Sequence, residues 1–255
     1  MAAVVLQRRN HPVRLLVLGD SLTFHGPQGP LPADHPGLWP NVAASALGGH
    51  AELAAGFGWT ARDAWWALTG DPRVWSLLPR TDVLVLAVGH MDTLPSPLPT
   101  FLRQGLRYLR PDRLRRRARA GYRAAQPVLA RLLGGYPVAL PPHLTVRYLD
   151  DSVRAVRALE PGIRVVGMTP SVHRSPAYAG VHSGRAAAER ALRGWARSAG
   201  VPLLDMPPLV GEHVRSRSGN PDGMHWGWEG HDLVGNAMAE LIRSVAVSHS
   251  GQAEP

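Results

Sequence analysis

The 255-residue chain has no cysteine and no lysine. Without cysteine there is no disulfide framework, no thiolate metal site and no thiol nucleophile. Long apolar runs are also missing: none exceeds the six residues of 83–88, far short of the roughly 20 that cross a bilayer. Near the start, Arg14 interrupts the apolar stretch before it reads as a secretory segment, so the expected location is the cytoplasm. What remains is ordinary for a folded protein, with 45% hydrophobic and 18% charged residues. The length suffices for one sizeable core.

The basic residues, all arginine, outnumber the acidic ones 28 to 19, a formal charge of +9. Guanidinium groups bind phosphate and carboxylate as two-pronged donors. That charge fits a nucleic acid, an anionic surface or an anionic small molecule, and does not choose among them.

Short apolar runs bounded by Gly, Pro or Asp, at 14–19, 51–55, 82–88, 163–168 and 201–205, read as buried parallel strands. Amphipathic stretches at 38–47, 61–68, 146–159, 184–199 and 229–245 read as the helices between them. The alternation implies an α/β domain over 1–248, a doubly wound sheet with helices on both faces and ligands beyond the carboxyl ends of the strands. Residues 94–142 break the pattern. They hold helical stretches at 101–109 and 113–133, and carry ten arginines between 103 and 131 against one acid, Asp112. This predicts a helical, lid-like insertion over the strand ends, and residues 249–255 read as a frayed tail.

Chemistry-bearing residues cluster where strands end. Gly19-Asp20-Ser21-Leu22 puts a serine just past the first strand, placed either as a nucleophile or as a helix cap. Asn220-Pro221-Asp222-Gly223-Met224-His225 precedes the last helix; its Asp222 and His225 would supply the base and orienting carboxylate that a serine needs. A metal site from Asp222, His225 and His231 is the competing use of the same residues. Gly56-Phe57-Gly58-Trp59 and Gly89-His90-Met91-Asp92 follow the second and third strands, where backbone N–H groups can stabilise an oxyanion.

Taken in order, these four blocks resemble the SGNH (GDSL-type) hydrolase family. The resemblance implies a flavodoxin-like three-layer α/β/α sandwich with a five-stranded parallel sheet. It makes Ser21 the nucleophile, His225 the base, Asp222 its partner, and the N–H groups of Ser21 and Gly58 the oxyanion hole, with no metal. The third block departs: the family's Gly-x-Asn-Asp has Met91 in the asparagine position. Further stretches, among them Gly58-Trp59-Thr60-Ala61-Arg62-Asp63-Ala64-Trp65-Trp66 and Pro170-Ser171-Val172-His173, are similar to one actinobacterial branch, the diglucosylglycerate octanoyltransferases. That likeness implies octanoyl transfer from octanoyl-CoA, a co-substrate rather than a resident cofactor, to a glucosylglycerate-type acceptor. Candidate substrate contacts are Trp59, His90, Met91, Asp92, His173 and Arg174, with His182 beside them. Trp59, Trp65, Trp66 and the 94–99 loop form a candidate acyl slot. Two rival classes remain: a carboxylesterase using water, and a non-enzymatic binder of nucleic acid or membrane surface.

Overall fold

A computed structural model describes residues 12–98, 102, 105 and 108–250, with side chains to 245. Five parallel strands form the central sheet: β1 (Arg14–Gly19), β2 (His50–Ala55), β3 (Val83–Ala87), β4 (Arg164–Met168) and β5 (Leu203–Leu204). Their spatial order is β2-β1-β3-β4-β5, the flavodoxin-like winding, whose chain reversal lies between β1 and β3.

Period-two alternation sorts the side chains. Leu16, Leu18, Leu84 and Leu86 face one layer, against α2 (Ala61–Gly70), α4 (Pro142–Leu159) and α5 (Arg185–Ala199). Leu15, Val17, Val83 and Val85 face the other, against α1 (Trp39–Ala46), α6 (Met206–Arg215) and α7 (Trp228–Ser250). These strand side chains are almost entirely buried, each stabilising the fold by about 1.5–3 kcal/mol. The register matters more for function. Gly19 pairs with both Ala55 and Ala87, so β1, β2 and β3 end level and their following loops meet above one edge.

Two expectations need correction, and one helix was missed. The 201–205 run pairs only at Leu203–Leu204, because Asp205 already caps the start of α6. Helix α6 itself goes unread in the sequence: Pro207 and Pro208 look like breakers, yet proline is well accommodated in a first helical turn. The last helix, expected over 229–245, runs from Trp228 to Ser250. Residues 251–255 and most of the expected 101–109 helix lie outside the described residues.

The 94–142 insertion leaves and returns at one place. Ser96 N–H donates to Pro137 O, Ala139 N–H to Leu94 O and Leu140 N–H to Asp92 O, a short antiparallel zip across its base. Its long helix α3 (Asp112–Leu132) packs against the turn Pro176–Tyr178 beyond β4.

Candidate active site

Ser21 opens a single 3-10 turn, Ser21–Thr23, directly beyond β1. Asp20 caps it: Oδ1 accepts Leu22 N–H at 2.9 Å, while the Thr23 hydroxyl donates to Asp20 O at 2.7 Å. The nucleophile turn is thus fixed from both sides by short-range bonds.

The Asp222–His225 turn is held more tightly still. Asn220 Oδ1 accepts Asp222 N–H, and Asn220 Nδ2 donates to Pro27 O, tying the turn to the loop after Ser21. Asp222 Oδ1 accepts the N–H groups of Met224 and His225, leaving Oδ2 for the imidazole. His225 Nδ1–H donates to Asp222 Oδ2 at 2.5 Å, and Ser21 Oγ–H donates to His225 Nε2 at 2.8 Å. The tautomer follows from this network, since only an Nδ1–H imidazole can serve both partners.

Gly223 makes the turn possible. Its φ is +69°, and an added Cβ would lie 2.7 Å from Arg174 O. Gly223→Ala is expected to cost about 2–3 kcal/mol from strain and displacement, read as a Tm lower by roughly 5–10 °C in calorimetry. An unchanged Tm would mean the turn relaxes without penalty.

Burial raises the Asp222 pKa, but the bonds from the His225 ring and from two backbone N–H groups outweigh it and hold the carboxyl at about 2. Asp222 is therefore ionised at neutral pH and accepts the Nδ1–H of His225 as a carboxylate.

Around this chain of bonds, Gly58 adopts φ +69° just after β2. Among the described residues the N–H groups of Ser21 and Gly58 donate to no protein acceptor. Met91 packs with Leu94, Tyr178 and Met224, its Cε 3.8 Å from where a Gly58 Cβ would be. An apolar thioether thus stands where the family pattern has a donor. One residue escaped sequence reading: His25, whose ring stacks on His225 at 3.7 Å between centroids and 17° between planes. Burial, then the charge of His225, lowers its pKa, so His25 stays neutral beside the imidazole that must accept a proton. Nothing in the sequence marks it, because it lies in a two-residue strand, His25–Gly26, too short to carry a periodic signal.

Other candidates have structural partners of their own. Asp92 is fully buried: it accepts Ala61 N–H at the start of α2 and the Thr145 hydroxyl from α4. Burial lifts its pKa to about 7, and its bonds join two helices. His90 and His173 are buried as well, in a three-imidazole cluster with His182 that links the loops after β3 and β4, His90 edge-on to both of the others. Trp59 is half-buried over Gly56, Trp65 packs into the α2 layer, and Trp66 is exposed beneath Arg62, so the three do not converge on an acyl slot. The metal alternative also dissolves, since the wholly buried His231 accepts Trp39 N–H and donates to His25 O. On α3, Arg115 pairs with Asp112, while Arg113, Arg116, Arg117, Arg119, Arg123 and Arg131 face solvent. No described helix is long and apolar enough to cross a membrane.

Residues 17–233 match the GDSL-like Lipase/Acylhydrolase family. A diglucosylglycerate octanoyltransferase of Mycolicibacterium hassiacum is 48% identical over 91% of this chain and 96% of its own. A protein of the same name from Mycobacterium tuberculosis is 45% identical over 94% of this chain and 96% of its own. Among solved structures, the lipase/acylhydrolase from Enterococcus faecalis superposes with a TM-score of 0.61 at 12% identity, covering 91% of this chain and 96% of that one, a likeness of fold alone. With its sheet order and with the family match running from β1 into α7, the chain belongs to the GDSL-like lipase/acylhydrolase family.

Proposed function

We propose that this protein moves an octanoyl group from a CoA thioester to a sugar hydroxyl of a glucosylglycerate-type acceptor, through an acyl-Ser21 intermediate. The observation that carries the reading is the continuous chain Ser21 Oγ–His225 Nε2 and His225 Nδ1–Asp222 Oδ2, built by loops from opposite ends of the sequence. The names of the two relatives, at 48% and 45% identity over nearly the whole chain, supply donor group and acceptor class.

In the first half-reaction Ser21 Oγ attacks the thioester carbonyl while its proton passes to His225 Nε2. Ionised Asp222 stabilises the imidazolium, and the N–H groups of Ser21 and Gly58 hold the oxyanion. The C–S bond breaks as His225 returns the proton to the leaving sulfur. In the second, the acceptor hydroxyl attacks the acyl carbon and gives its proton to His225. The C–Oγ bond then breaks and Ser21 recovers a proton. Met91 supplies no hydrogen bond to the oxyanion, which suits a thioester donor: its carbonyl has weaker resonance than an ester's and needs less help. Phe24 and Phe57, in edge-to-face contact beside His25, are the apolar surface we assign to the acyl chain, Phe57 being 63% exposed. The insertion over 94–142 serves in this reading as the cover of the site, which limits water. A CoA donor places the reaction in the cytoplasm, with no nucleic acid partner and no resident cofactor.

The test is product analysis by mass spectrometry. With octanoyl-CoA and diglucosylglycerate, octanoyl ester on the sugar is expected to exceed free octanoate. Release of octanoate alone, unaffected by the acceptor, would make the protein a hydrolase instead.

A further inference from the structure

A cavity of about 230 Å³ opens beside the catalytic imidazole, with Arg174, His213, Arg217, Asn220, Gly223 and His225 in its wall. No carboxylate lines it. The two guanidinium groups have no acidic partner among the described residues: Arg174 Nη1 donates to Arg215 O at 2.9 Å, and Arg217 forms no ion pair. Arg215, close by in sequence, is neutralised by Glu212 at 2.8 Å, so the unpaired state of its neighbours is not a general property of this loop.

Both side chains are exposed, and the backbone of Arg174 is tied to the catalytic turn. Arg174 N–H donates to Gly223 O at 2.7 Å, which couples this arginine to the turn that carries Asp222 and His225. Arg217 holds φ at +58°, a conformation unfavourable for any residue with a Cβ. Such strained residues concentrate where a ligand is gripped. An anion seated here would lie against the wall that presents His225, within one small molecule's length of Ser21 Oγ.

Size decides which anion. A volume of about 230 Å³ is below that of common drug-sized sites and far too small for a whole CoA, but it fits a short sugar-acid unit. We infer that this cavity seats the carboxylate-bearing end of the acyl acceptor, with Arg174 and Arg217 as a two-pronged anion clamp that sets a sugar hydroxyl beside His225. The inference rests on the transfer reaction proposed above and adds to it the part of the acceptor that is recognised and the residues that recognise it.

Arg174→Gln, Arg217→Gly (which suits the left-handed backbone) and the double variant of the full chain provide the test. Glucosylglycerate and its methyl ester are the acceptor probes, and octanoyl-CoA and its 3′-dephospho form the donor probes. Each single change is expected to raise KM for the free-acid acceptor about tenfold or more, as charge-assisted bonds are lost. The double variant should treat acid and methyl ester alike, whereas the unaltered protein should prefer the acid by at least tenfold. Donor KM should move less than twofold. A rise in donor KM with acceptor KM unchanged would reassign the clamp to the donor's phosphates and overturn the inference, as would no shift in either. Calorimetry with glucosylglycerate keeps the two claims separate. If no octanoyl-Ser21 forms, the transfer reaction fails, while tight binding that the double variant loses would still uphold the clamp.

Discussion

Ser21→Ala protein is expected to turn over octanoyl-CoA and acceptor at roughly 10⁻⁴ of the original rate or less, with its fold unchanged. The hydroxyl is the atom that becomes acylated, so no neighbour can substitute for it by shifting. Its loss removes a single bond, the one donated to His225 Nε2, at about 1 kcal/mol of stability. Asp20, Leu22 and Thr23 hold the turn without it. His225→Ala should lose a similar factor, and the double variant little more, because nucleophile and base act as one unit. Steady-state rates with a thermal melt for each protein decide the matter. Full activity in Ser21→Ala protein, or a multiplicative loss in the double variant, would place the nucleophile elsewhere.

The sequence exposed those residues because short loops at strand ends are written locally. Gly19 to Leu22 and Asn220 to His225 each fold through bonds spanning two or three residues, so their composition declares their geometry. The buried strands were equally legible, as runs of Leu and Val with few polar interruptions. Burial at a distance was not. Asp92 carries a family motif position yet spends both oxygens on helix packing, a commitment set by Thr145, 53 residues away. His25 stacks on His225 only because the sheet brings the two chain regions together. Charge density misled in the same way. The crowded arginines of α3 drew attention to the insertion, while Arg217, between Ser216 and Ser218, walls the cavity beside the base. A count of charges along the chain records abundance, not which charges lack a partner in a concave place.

Lowering the pH from 7 to 5 is expected to reduce the unfolding free energy by roughly 3 kcal/mol, a loss set by groups held uncharged inside the fold. Four histidines have pKa values pushed down from 6.5 chiefly by burial: His90 to about 3, His173 to about 4, His182 to about 2 and His231 to about 4. At pH 5 they are protonated in the unfolded chain and neutral in the folded one, so each favours unfolding as the pH falls below 6.5. Asp20 and Asp92 act in the opposite sense. Burial raises both to about 7 from 3.8, so between those values the folded chain carries two protons that the unfolded chain has released. Near pH 5 the four histidines outweigh the two carboxyls by about two protons, a slope of roughly 2.7 kcal/mol per pH unit. Near pH 7 the opposing contributions cancel, which puts the stability maximum there. Urea denaturation at pH 7, 6 and 5 should show the midpoint falling in step with this curve, and His173→Asn should roughly halve the slope at pH 5 by removing one of the two excess protons. A midpoint unchanged between pH 7 and 5 would mean that the imidazole cluster takes up protons without unfolding and is open to water, contrary to the packing of His90, His173 and His182 against one another.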